Sequence, residues 1–169
     1  MAIEQTLVLI KPDGAKRRLT GLVFDRLEAA GLVPVAAKMV SVTEDLARKH
    51  YEEHAGKPFY EGLIRYIRGE FHVIPHQRVL AVVFEGEGAI ALTRKVSGAT
   101  NPEKAEPGTI RGSFGRVTTD KQIENVVHAS AHAADAEKEI KLWFSPAEIV
   151  LPIYPVKDVD EKRTIKTWA

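Results

Sequence analysis

The chain has 169 residues, the size of one compact domain with one principal site. Hydrophobic residues make up 44% and charged residues 28%, which allows a packed core and excludes disordered, collagenous and coiled-coil architectures. A formal charge of +1 and the lack of cysteine exclude a general polyanion-binding surface, a disulfide framework, thiolate metal sites and a cysteine nucleophile.

A soluble, cytoplasmic protein without membrane segments is the expectation. The first ten residues carry Glu4 and no long apolar stretch, and no run approaches the roughly 20 apolar residues of a membrane span. Thr6 to Lys11 is apolar and β-prone and stops at Pro12-Asp13-Gly14, which predicts a first strand that delivers Lys11 to its end. Thr20 is expected to cap a helix with Leu22, Val23, Leu27 and Ala30 at helical spacing and Gly31 just past its end. Val33, Val35, Ala37 and Met39 alternate like a strand buried on one face. Thr43 then caps a second helix that runs toward His54 and breaks at Lys57-Pro58.

Leu63, Tyr66 and Ile67 mark a short helix, and Val79 to Phe84 reads as a central strand ended by Gly86. Ala89, Ile90, Leu92 and Val96 form the next helix, closed by Gly98. Residues 99–115 show no period, and a structureless connection of that length is expected to be functional. Asn125 to Ala129 leads into a last long helix, Ala133 to Phe144, with Ala136, Ile140 and Trp143 on one face. Ser145-Pro146-Ala147-Glu148 fits a capping box, and Ile149 to Ile153 reads as a short edge strand interrupted by Pro152. Residues 1–155 thus form the expected domain and 156–169 a polar tail. The alternation of elements predicts an α/β sandwich, one small sheet covered by helices.

Three local patterns invite a function and fail on context. Gly86-Glu87-Gly88-Ala89-Ile90-Ala91 matches a dinucleotide fingerprint, but the acidic residue it needs falls at Glu106 in a loop, not after a second parallel strand. His50-x-x-Glu53-His54 resembles an inverted zinc-protease motif, yet no third ligand accompanies it and a solvent-facing pair is the simpler account. Gly56-Lys57 is followed by Pro58, so no Walker loop is present.

Lys11-Pro12-Asp13-Gly14, Tyr51 with Pro58-Phe59, Thr100-Asn101-Pro102, Pro107-Gly108-Thr109-Ile110-Arg111-Gly112 and Asn125-Val126-Val127-His128-Ala129-Ser130 together resemble nucleoside diphosphate kinase in order and spacing. The resemblance runs from about Gln5 to Phe144. It implies a ferredoxin-like βαββαβ fold and ping-pong transfer of a nucleoside triphosphate's terminal phosphate to a nucleoside diphosphate through a phosphohistidine. By the same resemblance His128 is the nucleophile, Glu139 the carboxylate that orients its ring, and Ser130 a supporting hydroxyl. Lys11, Arg94, Thr100 and Arg111 hold the phosphates, Tyr51 lies near the transferred group, and Asn125 meets the ribose. Phe59 carries the base, with Leu63 beside it.

Mg²⁺ is implied as a companion of the nucleotide phosphates, with no metal ligands from the chain. ATP and other nucleoside tri- and diphosphates are the implied partners, in a homohexamer or alternatively a tetramer, with no nucleic-acid partner. A nucleotide-binding regulator of weak activity on the same fold is the competing expectation.

The sequence departs from the family pattern in three places. After the nucleophile the family reads His-Gly-Ser-Asp-Ser, whereas this chain reads His128-Ala129-Ser130-Ala131-His132. Ala129 is tolerable only if its φ is negative, and Ala131 removes a carboxylate. The segments 67–83 and 112–127 are longer than in the common short form, by about seven and about four residues.

Overall fold

The computed structural model describes residues 2–72 and 77–160. Its strands are β1 (Ile3–Ile10), β2 (Val33–Ser41), β3 (Arg78–Glu87), β4 (Arg116–Val117), β5 (Ile123–Glu124) and β6 (Val127–Ala129). Its helices are α1 (Pro12–Lys16), α2 (Thr20–Ala29), α3 (Glu44–His50), α4 (Tyr60–Ile67), α5 (Ala89–Ser97), α6 (Ile110–Phe114) and α7 (Ala133–Trp143).

The main sheet has the order β2-β3-β1-β6 with each neighbouring pair antiparallel. β3 lies between β1 and β2, and β1 between β3 and β6, so two split βαβ units interlock in the ferredoxin-like pattern. Leu7, Val8, Leu9 and Ile10 are all fully buried, which a strand achieves only when both faces of its sheet are covered. Leu7, Leu9, Val79, Ala81 and Val83 face one layer with Ala47, Ile64, Ile140 and Trp143, from α3, α4 and α7. Val8, Ile10, Val82 and Phe84 face the other, with Val23 and Leu27 of α2, Ala89 of α5 and Ile110 of α6.

Several expected boundaries hold for their stated reasons. The Thr43 side chain accepts the Leu46 N–H at 3.2 Å and so caps α3. Gly31, at φ 90°, closes α2, where the Leu32 N–H reaches the Leu27 carbonyl in a Schellman turn. Ser145 and Glu148 form the capping box on a short 3₁₀ turn, with the Ser145 N–H donating to Glu148 Oε2 at 2.8 Å.

Other expectations are corrected. Thr20 is the first residue of α2 and not its cap, since Leu19 occupies that position. In β2, Met39 is 60% exposed, because a bulge between Pro34 and Ala36 adds a residue and exchanges the faces beyond it; Val33, ahead of the bulge at the start of the strand, is 58% exposed. Ala36 and Val40 turn inward instead. Gly86 does not end β3, which runs on to Glu87. The 99–115 connection holds a 3₁₀ turn at Pro102–Lys104 and then α6, so it is structured despite lacking a period. Ile149 to Ile153 forms no strand; Val150 makes a single backbone bond to Val35.

Segment 112–127 contains the β4–β5 hairpin. Segment 67–83 includes buried His72, whose Nε2 meets Glu124 Oε1 at 2.8 Å, tying the two long segments together. Residues 73–76 of that segment, and 161–169 of the expected tail with Trp168, lie outside the described residues.

Candidate active site

Lys11 leaves the end of β1 as the N-cap of α1 and is buried, with Nζ donating to Asn125 Oδ1 at 2.7 Å. The Asn125 amide in turn donates to the Thr100 carbonyl at 2.8 Å. Arg111 stands on α6, which Thr109 starts by accepting the Gly112 N–H at 3.1 Å. Its guanidinium donates to the carbonyls of Gly98 at 2.7 Å and Val127 at 2.9 Å. Glycine is required at 98, where φ is 83° and a Cβ would lie 2.3 Å from Thr109 Oγ1. Arg94 projects exposed from α5 and forms no ion pair among the described residues.

These groups, with Tyr51, Phe59, Leu63, Thr100, His128 and Glu139, line one cavity of about 890 Å³. The structure thus gathers the expected residues from six separate stretches of chain. Ser130 alone sits behind the wall, fully buried, its hydroxyl donating to Glu139 Oε2 at 2.6 Å. Phe59 stands 56% exposed at the rim, and the Tyr51 hydroxyl is buried with no partner among the described residues.

His128 lies on β6 opposite Leu9, and its Nε2 meets Glu139 Oε1 at 2.9 Å. Burial, with Lys11 and Arg111 nearby, pushes its pKa down to about 3, so the ring is neutral at pH 7. Burial raises the Glu139 carboxyl above its ordinary value, against the opposing pull of His50 and Ser130. With Glu139 accepting, the ring proton resides on Nε2 and the lone pair on Nδ1. Lys11 is lowered to about 8, first by burial and then by Arg111. Arg111 is lowered to about 10 by burial and Arg94.

His50, His128 and Glu139 present ligand atoms within 4.8 Å of one another, a nitrogen-rich set suited to a transition metal and not to Mg²⁺. The His50/His54 pair of the zinc-like motif does not converge. His50 Nδ1 accepts from Trp143 Nε1 at 3.2 Å, whereas His54 Nδ1 faces Lys57 Nζ at 3.0 Å.

The departures after His128 also resolve. Ala129 is outside the left-handed region and pairs with Val8 in the sheet, so its methyl group costs no backbone strain. Ala131 lines the cavity, where the carboxylate is missing. Sequence reasoning missed Lys121, Gln122 and Ile123 on the opposite wall, and Asp13 beneath the site, which it took for a turn residue. An acidic residue in a Pro-Asp-Gly turn carries no signal of burial, so only the packing reveals it.

Fold and cavity together define a ferredoxin-like α/β protein with an uncharged, carboxylate-held histidine in a basic pocket. Residues 4–149 match the nucleoside diphosphate kinase family model. The chain is 46% identical over 149 residues to a nucleoside diphosphate kinase of Moorella thermoacetica, covering 88% of this chain and 99% of that protein. It is 48% identical over 147 residues to one of Pyrococcus furiosus, covering 87% and 86%. Among solved structures it resembles the enzyme from Borrelia burgdorferi, a transition-state mimic with bound vanadate and ADP, at TM-score 0.78 and 40% identity over 90% of this chain and 93% of that one. The halophilic enzyme from Halobacterium salinarum, in complex with CDP, matches at TM-score 0.79 and 38% identity over 90% and 95%. The chain belongs to the nucleoside diphosphate kinase family.

Proposed function

We propose that this protein transfers the terminal phosphate of a nucleoside triphosphate to a nucleoside diphosphate through phosphorylated His128. One observation carries the reading: a neutral imidazole has one nitrogen held by Glu139 while it lines a cavity furnished with Lys11, Arg94 and Arg111. The Nδ1 lone pair attacks the terminal phosphorus, the bond to the bridging oxygen breaks, and its electron pair leaves on the nucleoside diphosphate. The Nε2 proton stays on the ring, and the Glu139 carboxylate stabilises the positive charge that develops there. In the second half-reaction a terminal oxygen of the incoming diphosphate attacks phosphorus and the P–N bond breaks, which restores neutral His128.

Lys11, Arg94 and Arg111 match the charge that spreads over the equatorial phosphoryl oxygens, and the unpartnered Tyr51 hydroxyl is a donor beside them. Thr100, beside Asn125 at the cavity wall, joins the same group. Phe59 and Leu63 supply the base platform, and Asn125 the ribose contact. Among the described residues the cavity carboxylates are Glu53 and Glu139, and Glu139 is committed to His128 and Ser130, so these residues offer no hard-cation cage. Mg²⁺ fits here as a passenger of the nucleotide phosphates, neutralising their charge.

No helix among the described residues is long and apolar enough to cross a membrane, in keeping with a cytoplasmic enzyme. Exposed Val33, Met39, Val150 and Leu151 support a homo-oligomer, hexameric or tetrameric, which light scattering distinguishes. Nothing in the site favours a regulator without turnover.

The decisive experiment mixes the protein with ATP alone and maps the modification by mass spectrometry. Phosphate is expected on His128. His128→Ala should lose it and lower turnover with ATP and GDP by roughly 10⁴-fold or more, the scale of losing a nucleophile. Wild-type labelling in that variant would exclude His128.

A further inference from the structure

The backbone that presents His128 is forced into an unfavourable turn two residues earlier. Val126 has φ 68°, in the left-handed region that a β-branched residue enters only under constraint, and its side chain is fully buried. The constraint is visible. Asp13 Oδ2 accepts the Val126 N–H at 2.9 Å, and the Val126 carbonyl accepts the Lys11 N–H at 2.9 Å. Asp13 Oδ1 accepts the hydroxyl of Tyr66, and both side chains are buried. Gly14 completes the fit, since a Cβ there would lie 3.0 Å from both Val126 O and Val126 Cγ1.

Site residues hang from both ends of this held peptide. On one side is Asn125, bonded to Lys11 and Thr100. On the other, the Val127 carbonyl takes Arg111, and His128 follows. We propose that Asp13, itself oriented by Tyr66, is a positioning residue that holds Val126 in its left-handed conformation and thereby sets Asn125 and His128 against the Lys11 and Arg111 cations. The proposal rests on the reading of His128 as nucleophile. The carboxylate accepts at both oxygens, from an O–H and an N–H; an asparagine would turn its NH₂ toward one of them, and against the Tyr66 hydroxyl that reverses the bond and forfeits its charge assistance. Burial and the neighbouring Asp13 raise the Tyr66 pKa, which keeps that hydroxyl a donor.

The test measures His128 phosphorylation by rapid quench at saturating ATP in the full chain, for wild type, Asp13→Asn, Val126→Gly and the double variant. Glycine adopts positive φ without help, so it removes the need for the carboxylate while keeping the turn. Asp13→Asn is expected to slow phosphoryl transfer by roughly 10- to 100-fold, as a misplacement of about 1 Å does. In the Val126→Gly background the same substitution is expected to cost less than about threefold, a rescue that a general loss of stability would not produce. Equal losses in both backgrounds, or no loss in either, overturn the proposal.

If Asp13→Asn does not fold, Tyr66→Phe runs the same cycle with a smaller expected loss, roughly three- to tenfold, again relieved by Val126→Gly. An unchanged rate in Tyr66→Phe, or a loss that Val126→Gly does not relieve, overturns it equally. Wild-type protein that forms no phosphohistidine refutes the functional reading itself, independently of the cycle.

Discussion

At the deep end of the cavity Lys11, Asn125, Arg111 and Glu139 each have a partner within the protein, and His128 is held by one of them. At the rim Phe59 is 56% and Ile123 37% exposed, and the Phe59 ring lies against His54 and Lys57. Under the proposed roles, the contrast follows from what each end would recognise. Charge that develops in a transition state is stabilised best by groups already fixed, whereas a base presented by its π-face asks only for a flat apolar neighbour. On that proposal, rigid chemistry and permissive base recognition share one pocket.

The sharpest way to break this contrast is at the deep end. Lys11→Ala and Arg111→Ala are each expected to lower kcat/KM by on the order of 10²-fold with the fold retained, as checked by circular dichroism and steady-state kinetics. Wild-type kinetics in both would reduce the cations to surface charges. At the rim, Phe59→Ala is expected to weaken all nucleotides alike, by roughly 1 to 3 kcal/mol, read from KM across four bases. A loss confined to one base would mean that the rim reads base edges.

Acidity separates the two ends further. Burial and then Arg111 lower the Lys11 pKa to about 8, so above that pH the ammonium that would meet the phosphates is lost progressively. The kcat/KM value is therefore expected to fall as pH rises past about 8, approaching tenfold per unit, and the limb should disappear in Lys11→Arg. His128, lowered to about 3, adds no limb between pH 5 and 8 in the free enzyme, because it stays neutral throughout that window. Imidazole NMR shifts assigned to His128 that move near pH 6.5 would contradict this. The smallest effect is expected at Ala131, where Ala131→Asp restores the family carboxylate and should change kcat by less than about tenfold, roughly 1.4 kcal/mol. A native protein without phosphotransfer that gains it through Ala131→Asp would remove turnover from the reading.

Local signals were legible wherever a single residue meets a single backbone need. Thr43 had a bare helix N-terminus to satisfy, Gly31 and Gly98 had positive φ to supply, and the apolar run at Leu7 to Ile10 announced a strand. Pairing across the sheet was less legible. β6 has three residues and exists because β1 offers it a partner, whereas Ile149 to Ile153 has strand-like composition and lacks one. The β2 bulge shows the same limit, since one inserted residue exchanges the faces that alternation predicts.

For the site, the sequence by itself determined which residue types are available and, through their order and spacing, the family they resemble: the Lys11 turn, the glycine-rich approach to Arg111 and the segment around His128 are each contiguous. Only the tertiary structure decided what each group bonds. Glu139 reaches His128 from another element, the Tyr51 hydroxyl has no partner among the described residues, and Asp13 reaches across 113 residues to a strained valine. Propensity and periodicity act over a few residues, while ionisation, burial and positioning depend on neighbours that the folded chain brings from far away.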